Sequence, residues 1–367
     1  MTASFPLIEA GGTPLERGRQ IGRQAGDRIA VSVGIYERAL ARGNLTWPEV
    51  QAIAGRYLPR LESYEPRYVE EIRGIAEGAE HPVEDIVALN ARTELLYDKS
   101  LRTDPTPDGC TGAIALPDIT ADGHMLHGQN WDWIDECKDS AVVIRHELED
   151  GTRLLVFVEA GIVARAGFNS HGIAVTGNFL ACPQPPADGA VPLPLMRRKI
   201  IESRTFAEAL KHVLSTPRSF ANNLMISDAA GEAVDLETTP QEVFWEKPDG
   251  GLLVHANHFR TDAARARVVD TGLAISPSSI YRDSRVERRL RQGAGNVARG
   301  DLEDAFADTY GAPSAVLASP GADEEANVKQ PSSTVATVIM DTTAGIMWVA
   351  PAPYAGEIAF TEYRLND

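Results

Sequence analysis

The feature that most restricts the fold is an abrupt change of periodicity at Cys110. Before it, apolar residues recur at helical spacing, with Leu15, Ile21, Ile29, Val33 and Tyr36 punctuating a charged stretch. Thr46-Trp47-Pro48-Glu49 reads as a helix start with Pro in the first turn, and helical patterns follow over Tyr68–Gly78 and Val83–Tyr97. Thr103-Asp104-Pro105-Thr106-Pro107-Asp108-Gly109 is dense in breakers and predicts a loop. After Cys110 short β-like runs succeed one another at Ala113–Leu116, Met125–Gln129, Ala141–Glu147, Leu154–Glu159 and Ile173–Asn178, with Gly, Asp or Asn turns between most of them. Helix returns over Leu193–Leu214, with a break at Ser203-Arg204-Thr205. Strands resume at Leu224–Ser227, Ala233–Leu236, Val243–Trp245 and Leu252–His255. A basic helix near Arg285–Arg291, a loop over Ala312–Pro331 and a β pair at Thr334–Met340 and Gly345–Val349 complete the chain. Runs of strands alternating with runs of helices imply packed sheets covered by helices, an α+β layering and not a βαβ succession.

Composition excludes several classes of function. With 35 Lys and Arg against 52 Asp and Glu, the formal charge is -17, a field that repels nucleic-acid backbones and anionic lipid. Neither nucleic acid nor membrane is expected as a partner, and no apolar stretch approaches the length of a membrane helix. The first residues lack a basic segment followed by an apolar run, so the expected setting is cytoplasmic. Cys110, Cys137 and Cys182 form no Cys-x-x-Cys pair, which argues against both a disulfide framework and a zinc site. His255-Ala256-Asn257-His258 lacks the glutamate of a zinc-protease motif. No phosphate loop is present, since Gly293-Ala294-Gly295 follows a helix.

Cys110 stands where the helical front meets the β-rich body, directly after Asp108-Gly109. The plain reading is a small buried hydrophobe at a strand start. A second reading follows from the glycine, which tolerates a positive φ or a twist that would strain the bond to Cys110. The thiol can then attack the Gly109 carbonyl, carry the chain as a thioester, and release a new chain beginning at Cys110. A free α-amino group has a pKa of about 7.7–8.0 and can take the thiol proton without any histidine. Asp132, closing Gly128-Gln129-Asn130-Trp131-Asp132 one turn after Cys110, is placed to hold that amine or orient the thiol. Asn178 and Asn257 end β-like runs, where an amide NH2 serves an oxyanion and equally a turn. His255 or His258 instead gives a thiol–imidazole dyad in an uncleaved chain. An inactive binding protein on the same fold is the third reading.

Asp108-Gly109-Cys110-Thr111, Gly128-Gln129-Asn130-Trp131-Asp132, Glu159-Ala160-Gly161-Ile162, Gly167-Phe168-Asn169 and His255-Ala256-Asn257-His258 resemble, in this order, the isopenicillin N acyltransferase family of self-processing N-terminal-nucleophile hydrolases. The resemblance implies a four-layer αββα sandwich, two antiparallel sheets between helix layers. It implies self-cleavage between Gly109 and Cys110 into a helical chain, 1–109, and a catalytic chain, 110–367, which together form one composite domain. It assigns Cys110 as nucleophile, Asp132 to processing or to the catalytic amine, and Asn257 to the oxyanion hole. Asn178 is similar to an oxyanion asparagine of the more distant bile salt hydrolases and penicillin V acylases. The implied substrate is a small acyl amide or acyl thioester; no metal or organic cofactor is expected, with acyl-coenzyme A as a candidate co-substrate. Two departures stand out. Gln129 occupies the position where the distant relatives carry an arginine, and between Tyr310 and Asp341 the family's arginine is missing, Lys329 being the only cation there.

Overall fold

The computed structural model describes residues 4–97, 109–293, 295–320, 331–352 and 358–366. The front contains β1 (Leu7–Gly11), α1 (Pro14–Ala41), α2 (Trp47–Gly55), α3 (Leu58–Tyr64), α4 (Pro66–Ala79), α5 (Val83–Asn90) and α6 (Arg92–Leu96). Two of these helices start on local chemistry: Thr13 caps α1 in a reciprocal box with Glu16, and Pro14 fills its first turn. Thr46 and Glu49 repeat the device at α2, where the sequence places a helix start.

The body opens with β2 (Thr111–Ala115), β3 (Leu126–Ile134), β4 (Ala141–Glu147), β5 (Arg153–Glu159), β6 (Ala166–Asn169) and β7 (Ile173–Thr176). Helices α7 (Leu193–Glu202) and α8 (Phe206–Ser215) meet at the expected break. Then come β8 (Asn222–Asp228), β9 (Glu232–Thr238), β10 (Val243–Glu246), β11 (Leu252–His255), α9 (Asp262–Arg267), α10 (Ser279–Gln292) and α11 (Arg299–Phe306). Strands β12 (Ser332–Asp341), β13 (Ile346–Pro351) and β14 (Thr361–Arg364) end the chain.

The strands form two sheets, of eight in the order β1-β4-β5-β6-β7-β8-β9-β10 and of six in the order β11-β2-β3-β12-β13-β14. Helices α1, α7 and α8 pack on the first, α10 and α11 on the second, and the sheets meet through β2 against β8, β3 against β7 and β11 against β9. This is the expected αββα sandwich, with one departure. The front is not wholly helical, because β1 pairs parallel with β4 at the edge of the larger sheet. Strand β2 shows how the layers are built. Ala113 and Ala115 pack toward Val286, Leu290 and Phe306 of the helix layer, while Ile114 packs with Met225 between the sheets. Alternate residues therefore face alternate layers, and both faces are buried.

Candidate active site

That alternation positions Cys110. Thr111 faces the α10 layer, so Cys110, like Gly112 and Ile114, belongs to the face between the sheets. Antiparallel pairing sets Thr111 opposite Asn130 and Gly112 opposite Gln129, which brings Asp132 beside Cys110. The backbone amide of Asp132 donates to Cys110 Sγ at 3.4 Å. The Asp132 side chain lies on the other face, where Oδ1 accepts from Thr334 Oγ1 at 2.6 Å.

Gly109 is required by space. A Cβ there would stand 2.6 Å from Asp132 Oδ2. Close approach to a carboxylate therefore favours glycine at this position. The rest of the breaker-rich stretch, 103–108, lies outside the described residues.

Two arginines that the sequence reading passed over meet at this joint. Arg282, buried on α10, donates through Nη1 to the Gly109 carbonyl, to the Cys110 carbonyl at 2.7 Å and to Thr111 Oγ1 at 2.8 Å. Its Nη2 donates to Asn257 Oδ1 at 2.8 Å. Arg165, just before β6, approaches Cys110 Sγ at 4.0 Å, donates to Gln129 Oε1 at 3.2 Å and stacks 4.2 Å over Trp131. Gln129, standing where the distant relatives carry an arginine, thus holds one that arrives from the bend before β6. Helical spacing carried the signal for Arg282, since it shares one buried stripe with Val286 and Leu290. For Arg165 the signal was a lone cation inside the apolar run from Gly161 to Phe168.

Asn257 follows β11 closely; its Nδ2 donates to the Phe179 carbonyl at 3.0 Å. Asn178 follows β7, and its Nδ2 donates to Asn223 Oδ1 at 3.2 Å and to the His255 carbonyl at 3.0 Å, which uses both amide protons. The histidines are engaged away from the thiol. His255 Nδ1 lies 2.8 Å from the Ala256 carbonyl and Nε2 lies 3.0 Å from Glu237. Burial opposes its charge, but Asp235 and Glu237 outweigh burial and raise it to about 9, so at neutral pH it is a cation and no base. His258 Nδ1 lies 2.8 Å from Ser279 Oγ. A cleft of about 470 Å³ flanks the joint, lined by Gly109, Asp132, Ser276, Tyr281, Arg282 and Ser314 among others. Lys329 lies outside the described residues.

In fold and layering the chain is an αββα sandwich. It superposes with a TM-score of 0.50 on a variant of conjugated bile acid hydrolase from Clostridium perfringens, at 15% identity over 70% of this chain and 92% of that one. Residues 119–352 match the family of acyl-coenzyme A:6-aminopenicillanic acid acyl-transferase. The chain is 33% identical to the 40 kDa form of acyl-coenzyme A:6-aminopenicillanic-acid-acyltransferase of Emericella nidulans, over 67% of either chain. It belongs to this acyltransferase family. No helix among the described residues is long and apolar enough to cross a membrane.

Proposed function

We propose that the chain cuts itself between Gly109 and Cys110 and then works as a cysteine acyltransferase or amidohydrolase. The observation that carries this reading is the joint itself: a buried thiol opening β2, directly after a glycine whose carbonyl is held by a guanidinium. In the first step Cys110 Sγ attacks the Gly109 carbonyl carbon, the Gly109–Cys110 C–N bond breaks, and the thiol proton passes to the departing amine. Negative charge develops meanwhile on the Gly109 oxygen, where Arg282 already donates. Water hydrolyses the thioester, leaving a carboxylate on Gly109 and a free α-amino group on Cys110.

That amine is then the base. It takes the thiol proton, Sγ attacks the acyl carbonyl of a small amide or thioester, and the acyl-enzyme passes its acyl group to water or an amine. Asp132, next to Gly109, is suited to hold the new ammonium by charge. Asn257 has a second amide proton beyond the one given to Phe179, and it serves the oxyanion from there. Every role falls to a side chain or to the new terminus, so the scheme calls on no metal or organic cofactor. The name of the Emericella relative makes acyl-coenzyme A a suitable donor and a free amine a suitable acceptor.

The test is intact mass under denaturing conditions with N-terminal sequencing. Two chains, 1–109 and 110–367, are expected from the parent protein, and a single chain from Cys110→Ala, without acyl transfer. Normal cleavage or transfer in Cys110→Ala would end the proposal.

A further inference from the structure

Behind the thiol, the buried amides line up in one direction. Arg165 Nη1 donates to Gln129 Oε1 at 3.2 Å, and Gln129 Nε2 donates to Asn178 Oδ1 at 2.7 Å. Asn178 Nδ2 donates to Asn223 Oδ1 at 3.2 Å, and Asn223 Nδ2 donates to Asp235 Oδ1. Gln129, Asn178, Asn223 and Asp235 are wholly buried, and Arg165 is nearly so. The direction of each amide is set by groups that can only donate or only accept. Arg165 can only donate to Gln129, the Gly177 carbonyl accepts from Gln129 Nε2, and the His255 carbonyl accepts from Asn178 Nδ2.

We propose that Asp235 is a positioning residue for the Cys110 thiol, acting through this chain of four hydrogen bonds on the Arg165 guanidinium. The proposal rests on the reading of Cys110 as nucleophile. A carboxylate at the far end accepts only, so it compels Asn223 to turn its NH2 outward and its carbonyl back toward Asn178. The His255 and Gly177 carbonyls hold Asn178 and Gln129 in the same order, and successive dipoles polarise one another in a dry interior. The outcome at the near end is a Gln129 carbonyl fixed toward Arg165, with the guanidinium clamped between it and Trp131 and its other nitrogen against Sγ. Held there, the cation favours the thiolate.

The charges facing Asp235 belong to the same device. Its Oδ2, which has no hydrogen-bonding partner, lies 3.6 Å from His255 Nε2 on β11; burial, with Glu237 on its own strand and Glu246 on β10, raises the Asp235 carboxyl to about 7 against the pull of His255, so it is the acceptor-only carboxylate above that pH. His255 balances the carboxylates at the inner end as Arg165 supplies the positive charge at the outer one.

The experiment follows alkylation of Cys110 by iodoacetamide against pH, read at the Cys110 peptide by mass spectrometry, together with kcat and KM. Asp235→Asn keeps the shape but can turn either end toward Asn223. Its alkylation midpoint is expected to rise by about half to one pH unit, with kcat falling and KM unchanged. Arg165→Met should give a similar rise, and Asp235→Asn should add nothing in that background. The swap Asn223→Asp with Asp235→Asn puts the carboxylate one link nearer the thiol, preserves the direction of every remaining amide, and should return the midpoint to the parent value. An unchanged midpoint in Asp235→Asn, or a full extra shift on top of Arg165→Met, would overturn the proposal. If Asp235→Asn does not fold, the swap decides, a raised midpoint counting against. The nucleophile reading fails separately, by transfer activity surviving in Cys110→Ala.

Discussion

His255 sits fully buried between Glu237 and Asp235, and the two carboxylates keep its proton although burial alone would remove it. Its raised pKa, about 9 against about 6.5 when unfolded, ties stability to pH in a definite direction. The protonated ring contributes fully below about pH 6.5, and the contribution is lost as pH rises through about 9. His255→Gln should therefore lower the stability read from urea unfolding by on the order of 2 kcal/mol near pH 6, and the gap to the parent should close toward pH 9.5. A gap that is flat or widens with pH would show that the ring is held neutral. Such a residue explains what the sequence could reveal. Cys110, Asp132 and Asn257 were singled out as candidates by local pattern alone: a joint, a strand end, a turn. Arg165 and Arg282 were not, since each meets Cys110 only after 55 and 172 residues of chain have been folded back. Read one by one, they are a cation in an apolar run and one more charge on a basic helix.

Helices α1 and α4 approach closely enough that glycine becomes a packing requirement. A Cβ on Gly18 or Gly22 would strike the α4 backbone at Glu71 and Ile75, and one on Gly74 or Gly78 would strike the α1 backbone at Leu15 and Arg19. Gly-x-x-x-Gly on both helices places these residues on facing surfaces, so the backbones themselves pack. Backbone cannot rotate away as a side chain can, and Gly22→Ala is expected to cost about 1–3 kcal/mol through forced separation of the helices. Urea unfolding would measure it; Gly26→Ala, where only Ala79 lies near at 3.9 Å, should be close to neutral or stabilising. An equal change at both positions would mean that the close contact with α4 does not set the cost, since helix propensity favours Ala over Gly at each. Elements of this kind were largely legible, since α1, α2, α4, α7 and α8 declare themselves by spacing and caps. Strands β1, β6 and β14 did not, though they are no shorter than β7, β10 and β11, which did. The alternation that marks a half-exposed strand is also absent from β3, whose nine residues are all buried.

At the scale of the whole molecule, the proposed cut at Gly109–Cys110 divides the chain without dividing the fold. The front supplies β1 to the larger sheet, in register with β4 from Leu7–Val143 to Gly11–Glu147. It also supplies half of several buried polar contacts. Glu71 on α4 pairs with Arg17 at 3.1 Å and with Arg198 on α7 at 3.1 Å, and Arg92 on α6 pairs with Glu159 on β5 at 2.5 Å. Removing the front would leave Arg198 without Glu71 and Glu159 without Arg92 inside a low-dielectric core, a strongly destabilising state for each. Apolar contact points the same way, since Ile21, Ile29, Tyr36 and Ile72 belong to one core with Val143, Phe157 and Ile200. Residues 1–109 and 110–367 should therefore remain associated after cleavage, co-eluting from a sizing column in native buffer at any attainable dilution. They should part only in denaturant, at the concentration where the tryptophan fluorescence of the body also changes. A front chain that elutes alone under native conditions would show that β1 and these buried contacts do not hold the two chains together.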